Sequence, residues 1–264
     1  MKKKINDHSG ATGPTDDLGP KNTAANKSQC DQKTTVGMYS ASKKQWNVQA
    51  GCEFACSYCK KSFQASLKRQ KWKCKDCYDY SPHAHPERLD ISLPPTDFLE
   101  FIFTCSHGDI SACEDSFFAK IIQRVQEEKE KNFLFQSKSP KKAFVREGIK
   151  IPNNVILGTT LETNRSELCR KFTNAPPPEI RFKQLRDIEH PIKMVTIEPI
   201  MDFDLDILLG WISEINPRLV WLGYDSKNCG LIEPPLEKFK ELHWQLGVMG
   251  VATILKKSMP SKGK

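Results

Sequence analysis

The chemistry of this chain is densest in nine residues, Gly51-Cys52-Glu53-Phe54-Ala55-Cys56-Ser57-Tyr58-Cys59. Three cysteines stand with three and then two residues between them. A loop this short aims three thiolates at one soft metal centre, either zinc or an iron–sulfur cluster. The count discriminates between the two. A [4Fe–4S] cluster held by three cysteines keeps one iron without a protein ligand, open to a substrate or cofactor. A structural zinc ion wants a fourth ligand close by, and a zinc knuckle is the alternative reading of this loop.

A second group follows. Cys74 and Cys77 form a C-x2-C pair, and His83 and His85 come shortly after. Two cysteines and two histidines suit a tetrahedral zinc site. The C-x2-C half has the spacing of a zinc knuckle, while H-x-H so close to it is unusual. A second cluster, or no metal at all, are the other readings. His85 also reads as a packing or substrate-pocket residue. Cys30, Cys105, Cys113, Cys169 and Cys229 show no ligand spacing. Cys105 reads as a small buried hydrophobe, with a redox thiol as its alternative.

Composition narrows the setting. A chain of 264 residues suffices for one barrel-like α/β domain or two small ones. No apolar run reaches membrane-spanning length. Met1-Lys2-Lys3-Lys4 is basic but lacks the apolar core of a signal peptide. A cytoplasmic protein with no membrane partner is therefore expected, and its ten cysteines are expected to be reduced. The net charge of +8 is uneven. Residues 60–75 hold six lysines, one arginine and no acid. Such a stretch suits a polyanion such as nucleic acid, or is simply a solvated face. Residues 1–37 are poor in large apolar side chains and read as a disordered tail. Residues 256–264 read as a basic C-terminal tail.

The elements that must position these residues form a regular series. Strands are expected over 45–50, 98–104, 132–136, 154–161, 192–197 and 218–223, with a further short one within 248–255. Helices are expected over 60–71, 115–129, 140–148, 179–188, 205–215 and 234–246. Strand alternating with helix implies a parallel sheet, and near-continuous apolar runs imply strands covered on both faces. Polar residues gather just after the strand ends, where parallel barrels place their chemistry: Ser106, His107, Gly108 and Asp109; Gln136, Ser137 and Lys138; Thr160, Glu162 and Asn164; Glu198; Tyr224 and Asp225. A carboxylate such as Glu162 can accept from the two vicinal hydroxyls of a ribose. An open doubly wound sheet is the other architecture this pattern permits.

The cysteine spacing, with Tyr58 directly before Cys59, resembles the CxxxCx(aromatic)C signature of the radical S-adenosylmethionine superfamily. The segments 51–59, 85–89, 133–138, 154–165, 193–206 and 221–227 are similar to one of its branches. That branch is phage- and prokaryote-associated and known only as a domain of unknown function, so it brings no substrate. The DNA-photoproduct lyases of the superfamily are a more distant likeness.

The resemblance implies a partial (β/α)6 TIM-like barrel over residues 38–255, with the cluster loop after the first strand and residues 60–90 as a basic, possible zinc-knuckle insertion. It implies that Cys52, Cys56 and Cys59 hold a [4Fe–4S] cluster whose open iron chelates S-adenosylmethionine. One electron, from an electron-donor protein, would cleave that cofactor to methionine and a 5′-deoxyadenosyl radical, which abstracts hydrogen from a substrate. Tyr58 would lie near the adenine. Gly108 and Asp109 stand where the family carries a Gly-Gly-Glu-type motif for the ammonium group, although the Gly-Gly pair is missing here. Thr160, Glu162, Asn164 and Glu198 complete the expected cofactor contacts.

The function expected is a radical S-adenosylmethionine enzyme acting on an unknown substrate, with nucleic acid or a nucleotide the leading class. Zinc at Cys74, Cys77, His83 and His85 is a candidate second metal. The competing class is a non-enzymatic zinc- and nucleic-acid-binding protein using both cysteine groups. A barrel that binds the cofactor without cleaving it is a third.

Overall fold

The computed structural model describes residues 39–69, 71–256 and 259–260. The expected tail over 1–37, Cys30 and most of 256–264 lie outside them.

The first segment differs from the expected single strand over 45–50. It forms β1 (Ser42–Trp46) and, after a break at Asn47 and Val48, β2 (Gln49–Ala50). The break is held from the side: the Asn47 Oδ1 accepts from Ser106 Oγ at 3.0 Å and from the His107 N–H at 2.9 Å. Next come one widened helical turn over Lys60–Gln64, α1 (Ala65–Lys68), α2 (Lys75–Asp79) and β3 (His83–Ala84). β3 pairs antiparallel with β2 in a small separate sheet.

The regular series follows. It runs β4 (Phe101–Thr104), α3 (Asp115–Glu127), β5 (Phe133–Gln136), α4 (Pro140–Phe144), β6 (Val155–Thr160), α5 (Ser166–Arg170) and α6 (Pro178–Asp187). It closes with β7 (Lys193–Ile197), α7 (Leu205–Ile215), β8 (Leu219–Leu222), α8 (Leu236–Val248) and β9 (Ala252–Leu255). β4 starts three residues later than expected, because Phe98 and Leu99 lie exposed before it.

Seven strands pair in the order β1-β4-β5-β6-β7-β8-β9, every pair parallel. This order has no reversal, so there is no switch point of the doubly wound kind. The sheet curls into a half-barrel instead, as the partial TIM-like reading expects, and the short strand expected within 248–255 is its seventh, β9.

Alternation along each strand divides the core. Ile102, Phe133, Phe135, Val155, Leu157, Val195, Ile197, Val220 and Leu222 face the helices, where they meet Phe118, Ile122, Leu185, Leu208, Ile212 and Leu242. The intervening residues Phe101, Phe103, Leu134, Met194 and Trp221 cluster on the other face. Tyr39 fills that face. Its ring lies 4.7 Å from Trp221 and 5.3 Å from Phe103, centroid to centroid. Its hydroxyl donates to Gln136 Oε1 at 2.5 Å and pairs with Thr196 Oγ1 at 2.7 Å. Below Tyr39's hydroxyl the inner face is apolar; toward the strand C-terminal ends it becomes polar.

Candidate functional site

The three-cysteine loop is seated on those C-terminal ends. Gly51 bridges to Gly108 beyond β4, donating to the His107 carbonyl at 3.1 Å and accepting from the Asp109 N–H at 3.2 Å. Gly51 has φ +82°, and a β-carbon there would lie 2.0 Å from the Ser81 carbonyl oxygen. Farther on, the Ser57 N–H donates to the Phe172 carbonyl at 2.8 Å, and the Phe54 carbonyl accepts from the Asn174 N–H at 2.8 Å. Phe54 packs with Met201, Leu168, Phe172 and Leu231. The loop is thus tied to segments that follow β4, β6, β7 and β8.

Within the loop Cys56 is buried, while Cys52 and Cys59 are partly open. Their sulfurs receive donors. The Phe54 N–H reaches Cys52 Sγ at 3.4 Å. Lys138 Nζ donates to Cys56 Sγ at 3.2 Å, and Thr173 Oγ1 lies 3.0 Å from the same sulfur. A hydrogen bond from Cys59, with Lys138 opposing the cost of burial, lowers the Cys56 thiol to about 5. The same contact raises Cys59 well above its usual range, and burial raises Cys52 to about 12. Cys56 and Cys59 thus form one hydrogen-bonded pair of thiols, and Lys138 beside it favours a thiolate there.

Lys138 comes from the end of β5 and also reaches Tyr58 Oη and Glu162 Oε1, the latter at 3.0 Å. Tyr58 donates to Glu162 Oε1 as well. The other carboxylate oxygen accepts from Arg181 at 2.7 Å. Glu162 and Arg181 have fully buried side chains. Burial would raise the Glu162 carboxyl, but Arg181 and Lys138 outweigh it and hold the group down to about 2. Fully buried Arg181 and mostly buried Lys138 thus face one buried carboxylate, and the sulfur of Cys56 lies where it can take the balancing negative charge. The rest of the Arg181 guanidinium is bound to the Thr160 carbonyl at 2.5 Å, the Pro176 carbonyl at 2.8 Å and Cys169 Sγ at 3.2 Å.

Of the other strand-end residues, Asp109 is already heavily used. Its Oδ1 accepts from the Ser111 N–H at 3.0 Å and Ser137 Oγ at 2.6 Å, and its Oδ2 from the Lys138 N–H at 2.9 Å. It fixes the backbone that carries Lys138. Gly108 supplies the close approach to Gly51. Asn164 Oδ1 accepts from the Asp204 N–H at 2.8 Å, and Thr160 Oγ1 from Gln136 Nε2 at 2.9 Å. Asp225 is buried and holds the turn to Lys227 at 2.9 Å. Glu198 differs from all of these. Its Oε1 meets Lys256 at 2.8 Å, while its buried Oε2 has no hydrogen-bond partner among the described residues, and burial raises its carboxyl. Ser57 Oγ is likewise buried without a partner among them.

These features fit a thiolate-ligated cluster and a polar cofactor. Three thiols share one loop, donors point at two of them, a buried cation is in excess and a buried carboxylate oxygen waits for a donor. In the sequence Lys138 stands only as a polar strand end, Cys169 only as a cysteine without ligand spacing, and Arg181 and Thr173 carry no local sign of their place here. Cys105 is buried in the apolar core, as expected of a small hydrophobe.

Two neighbouring features complete the surface. Cys74, Cys77, His83 and His85 converge in a group of their own. Lys60, Lys61, Lys68, Arg69, Lys71, Lys73 and Lys75 are all exposed, as is Trp72 at 90%. The Lys71 ammonium lies 5.1 Å from the Trp72 ring and 5.6 Å from that of Tyr78. Among the described residues no helix is long and apolar enough to cross a membrane.

Fold and site together define a half-barrel of parallel strands with a three-cysteine loop across its C-terminal edge. No family model and no curated protein matches the chain. Among solved structures it is similar to Streptococcus suis SuiB bound to S-adenosylmethionine, with 10% identity and a TM-score of 0.47 over 83% of this chain and 50% of that one. It is similar also to SuiB bound to precursor peptide SuiA, with 10% identity and a TM-score of 0.46 over 83% and 48% of the two chains. The chain spans about half the length of SuiB.

Proposed function

We propose that the chain is a radical S-adenosylmethionine enzyme. Cys52, Cys56 and Cys59 hold a [4Fe–4S] cluster, and the polar mouth of the half-barrel holds S-adenosylmethionine. The observation that carries this reading is the seating of the three-cysteine loop on the strand C-terminal ends, with Lys138 aimed at Cys56. When bound, cluster and cofactor supply one-electron reductive cleavage to a 5′-deoxyadenosyl radical that takes hydrogen from the substrate.

The chain's own residues bind, orient and exclude water. Lys138 stays protonated and offsets the negative charge of the ligating thiolates. Glu162, fixed by Arg181 and Tyr58, holds the Lys138 ammonium in place. Asp109 and Gly108 serve by position, one setting the Lys138 backbone and the other admitting the loop. Glu198 Oε2 takes a donor from the cofactor, whose ammonium and ribose hydroxyls are suited to a carboxylate. Thr160 and Asn164 complete the same polar edge. Phe54 and Met201 share an apolar cluster with Cys56 and shield its sulfur from water.

The substrate class that suits the neighbouring surface is a nucleic acid or nucleotide. The exposed cations of residues 60–75 suit phosphates, and exposed Trp72 and Tyr78 suit stacked bases. Binding to single-stranded oligonucleotide that weakens steeply with salt supports this class, and no binding at low salt removes it. An electron-donor protein is the second partner.

Anaerobic reconstitution tests the cluster. Iron and sulfide in the proportions of a [4Fe–4S] cluster, and an electron spin resonance signal that shifts on addition of S-adenosylmethionine, are expected. Zinc with no iron or sulfide would instead favour a non-enzymatic zinc- and nucleic-acid-binding protein.

A further inference from the structure

The second cysteine group is built by ordinary local rules. Cys74 is extended, with φ −153°, and caps α2; its sulfur accepts from the Cys77 N–H at 3.4 Å. Cys77 lies in the first turn of α2 and so returns to the same side. Tyr80, in the left-handed region with φ 61°, ends α2 and reverses the chain. The chain then enters β3. Side chains two apart on an extended segment share a face, so His83 and His85 both turn toward the cysteine pair. This period of two gives H-x-H a place in the site.

The four ligand atoms all lie within 4.8 Å of one another. His83 Nε2 is 3.4 Å from Cys74 Sγ and 3.2 Å from Cys77 Sγ, and His85 Nε2 is 3.2 Å from Cys77 Sγ. The two Nε2 atoms are 2.8 Å apart. Each imidazole is oriented from behind. His83 Nδ1 donates to the Ser81 carbonyl at 2.7 Å, and His85 Nδ1 donates to Glu87 Oε1 at 2.8 Å. Both acceptors lack a proton, so in the neutral rings both protons sit on Nδ1. Two Nε2 lone pairs then point at each other and at two sulfurs. A cation between them removes that repulsion and uses all four groups.

We propose that Cys74, Cys77, His83 and His85 bind one zinc ion in a closed, structural site. Usual zinc–sulfur and zinc–nitrogen bonds give tetrahedral edges of about 3.3–3.8 Å; the three nitrogen–sulfur contacts of 3.2–3.4 Å come close to that range, the nitrogen–nitrogen contact of 2.8 Å is tighter, and the group as a whole, within 4.8 Å, is looser. Two thiolates and two imidazoles are the donor set of tetrahedral zinc. Cys77 is fully buried and His85 nearly so. Four protein ligands keep no position open for a substrate. The ion ties α2 to β3 directly behind the three-cysteine loop, where the Tyr80 carbonyl accepts from the Cys52 N–H at 3.3 Å. The inference does not depend on the activity proposed above.

The test uses the full chain and a variant with Cys52, Cys56 and Cys59 all changed to Ser. Each is titrated with zinc against a chromogenic chelator, and separately loaded with cobalt(II). Both are expected to bind one equivalent of zinc and to give the intense visible bands of tetrahedral cobalt with a thiolate charge-transfer band. Cys77→Ser should lose both. Glu87→Gln, an exposed change behind His85, should weaken zinc about 10- to 100-fold. That variant and the cobalt spectrum decide the matter if Cys77→Ser does not fold. Zinc binding lost in the triple variant, an octahedral cobalt spectrum, or unchanged affinity in Glu87→Gln would overturn the proposal.

Discussion

Gly108 packs directly against Gly51: a β-carbon on Gly108 would lie 2.4 Å from the Gly51 carbonyl oxygen and 2.9 Å from its nitrogen. The two backbones touch where the cysteine loop leaves β2, so the end of β4 sets the height of Cys52. Gly108→Ala must push the loop away. The expected cost is about 1–3 kcal/mol of stability, together with poorer iron incorporation on reconstitution. Thermal melts and iron content read the two effects. A variant that loads iron like the parent chain would remove the docking role.

The Glu162 carboxylate is enclosed by Arg181, Lys138 and Tyr58. Glu162→Gln keeps the shape and removes the charge, which strands the fully buried Arg181 and the mostly buried Lys138. Breaking a buried pair from one side costs about 3–5 kcal/mol. Chemical denaturation should show a loss of that order. An unchanged midpoint would mean that water reaches this cluster.

The same carboxylate gives a pH dependence. Its folded-state group is held to about 2, below its ordinary 4.5, chiefly by Arg181 and Lys138 working against burial. A depressed acid stabilises the fold fully above its unfolded value and loses that contribution as pH falls toward the folded one. Stability from this group is thus level above about pH 5 and declines between about pH 4.5 and 2. Melting of Glu162→Gln should be flatter than that of the parent chain over that interval. A parallel decline in both would assign the acid loss to other groups.

Tyr39 closes the inner face of the half-barrel through its ring and its hydroxyl. Tyr39→Ala should cost about 3–5 kcal/mol by analogy with other large aromatic truncations. Tyr39→Phe keeps the ring and should cost about 1–2 kcal/mol, the cost of unpairing buried polar groups. Equal effects from the two variants would contradict a plug that works mainly by packing.

The sheet was legible because its strands are apolar on both faces. Phe133, Leu134 and Phe135 alternate between the helix side and the inner side, and both are covered. The helix over Leu205–Ile215 was legible to the residue, since Leu208, Ile212 and Ile215 recur on one stripe. The break in the first strand has no local signal, because the turn at Asn47 is imposed by Ser106 and His107, some sixty residues away. Residues 60–71 carry a helical pattern but form a widened turn and one short helix.

At the site, the three cysteines announced themselves by spacing. Lys138 and Arg181 did not, because their meaning lies in contacts with Cys56 and Glu162 across the barrel mouth. An arginine inside a helix after three prolines carries no local sign of being fully buried. Asp109 and Glu162 were visible as strand-end acids, but their oxygens turn out to be filled by the chain's own donors.

The central claim is tested most directly by product. The chain is reconstituted anaerobically with iron and sulfide, reduced by a strong one-electron donor with S-adenosylmethionine present, and assayed for 5′-deoxyadenosine. The account predicts 5′-deoxyadenosine and methionine from the parent chain and none from Cys56→Ala. A chain that assembles no cluster, or one that forms the nucleoside equally well without Cys56, would contradict it.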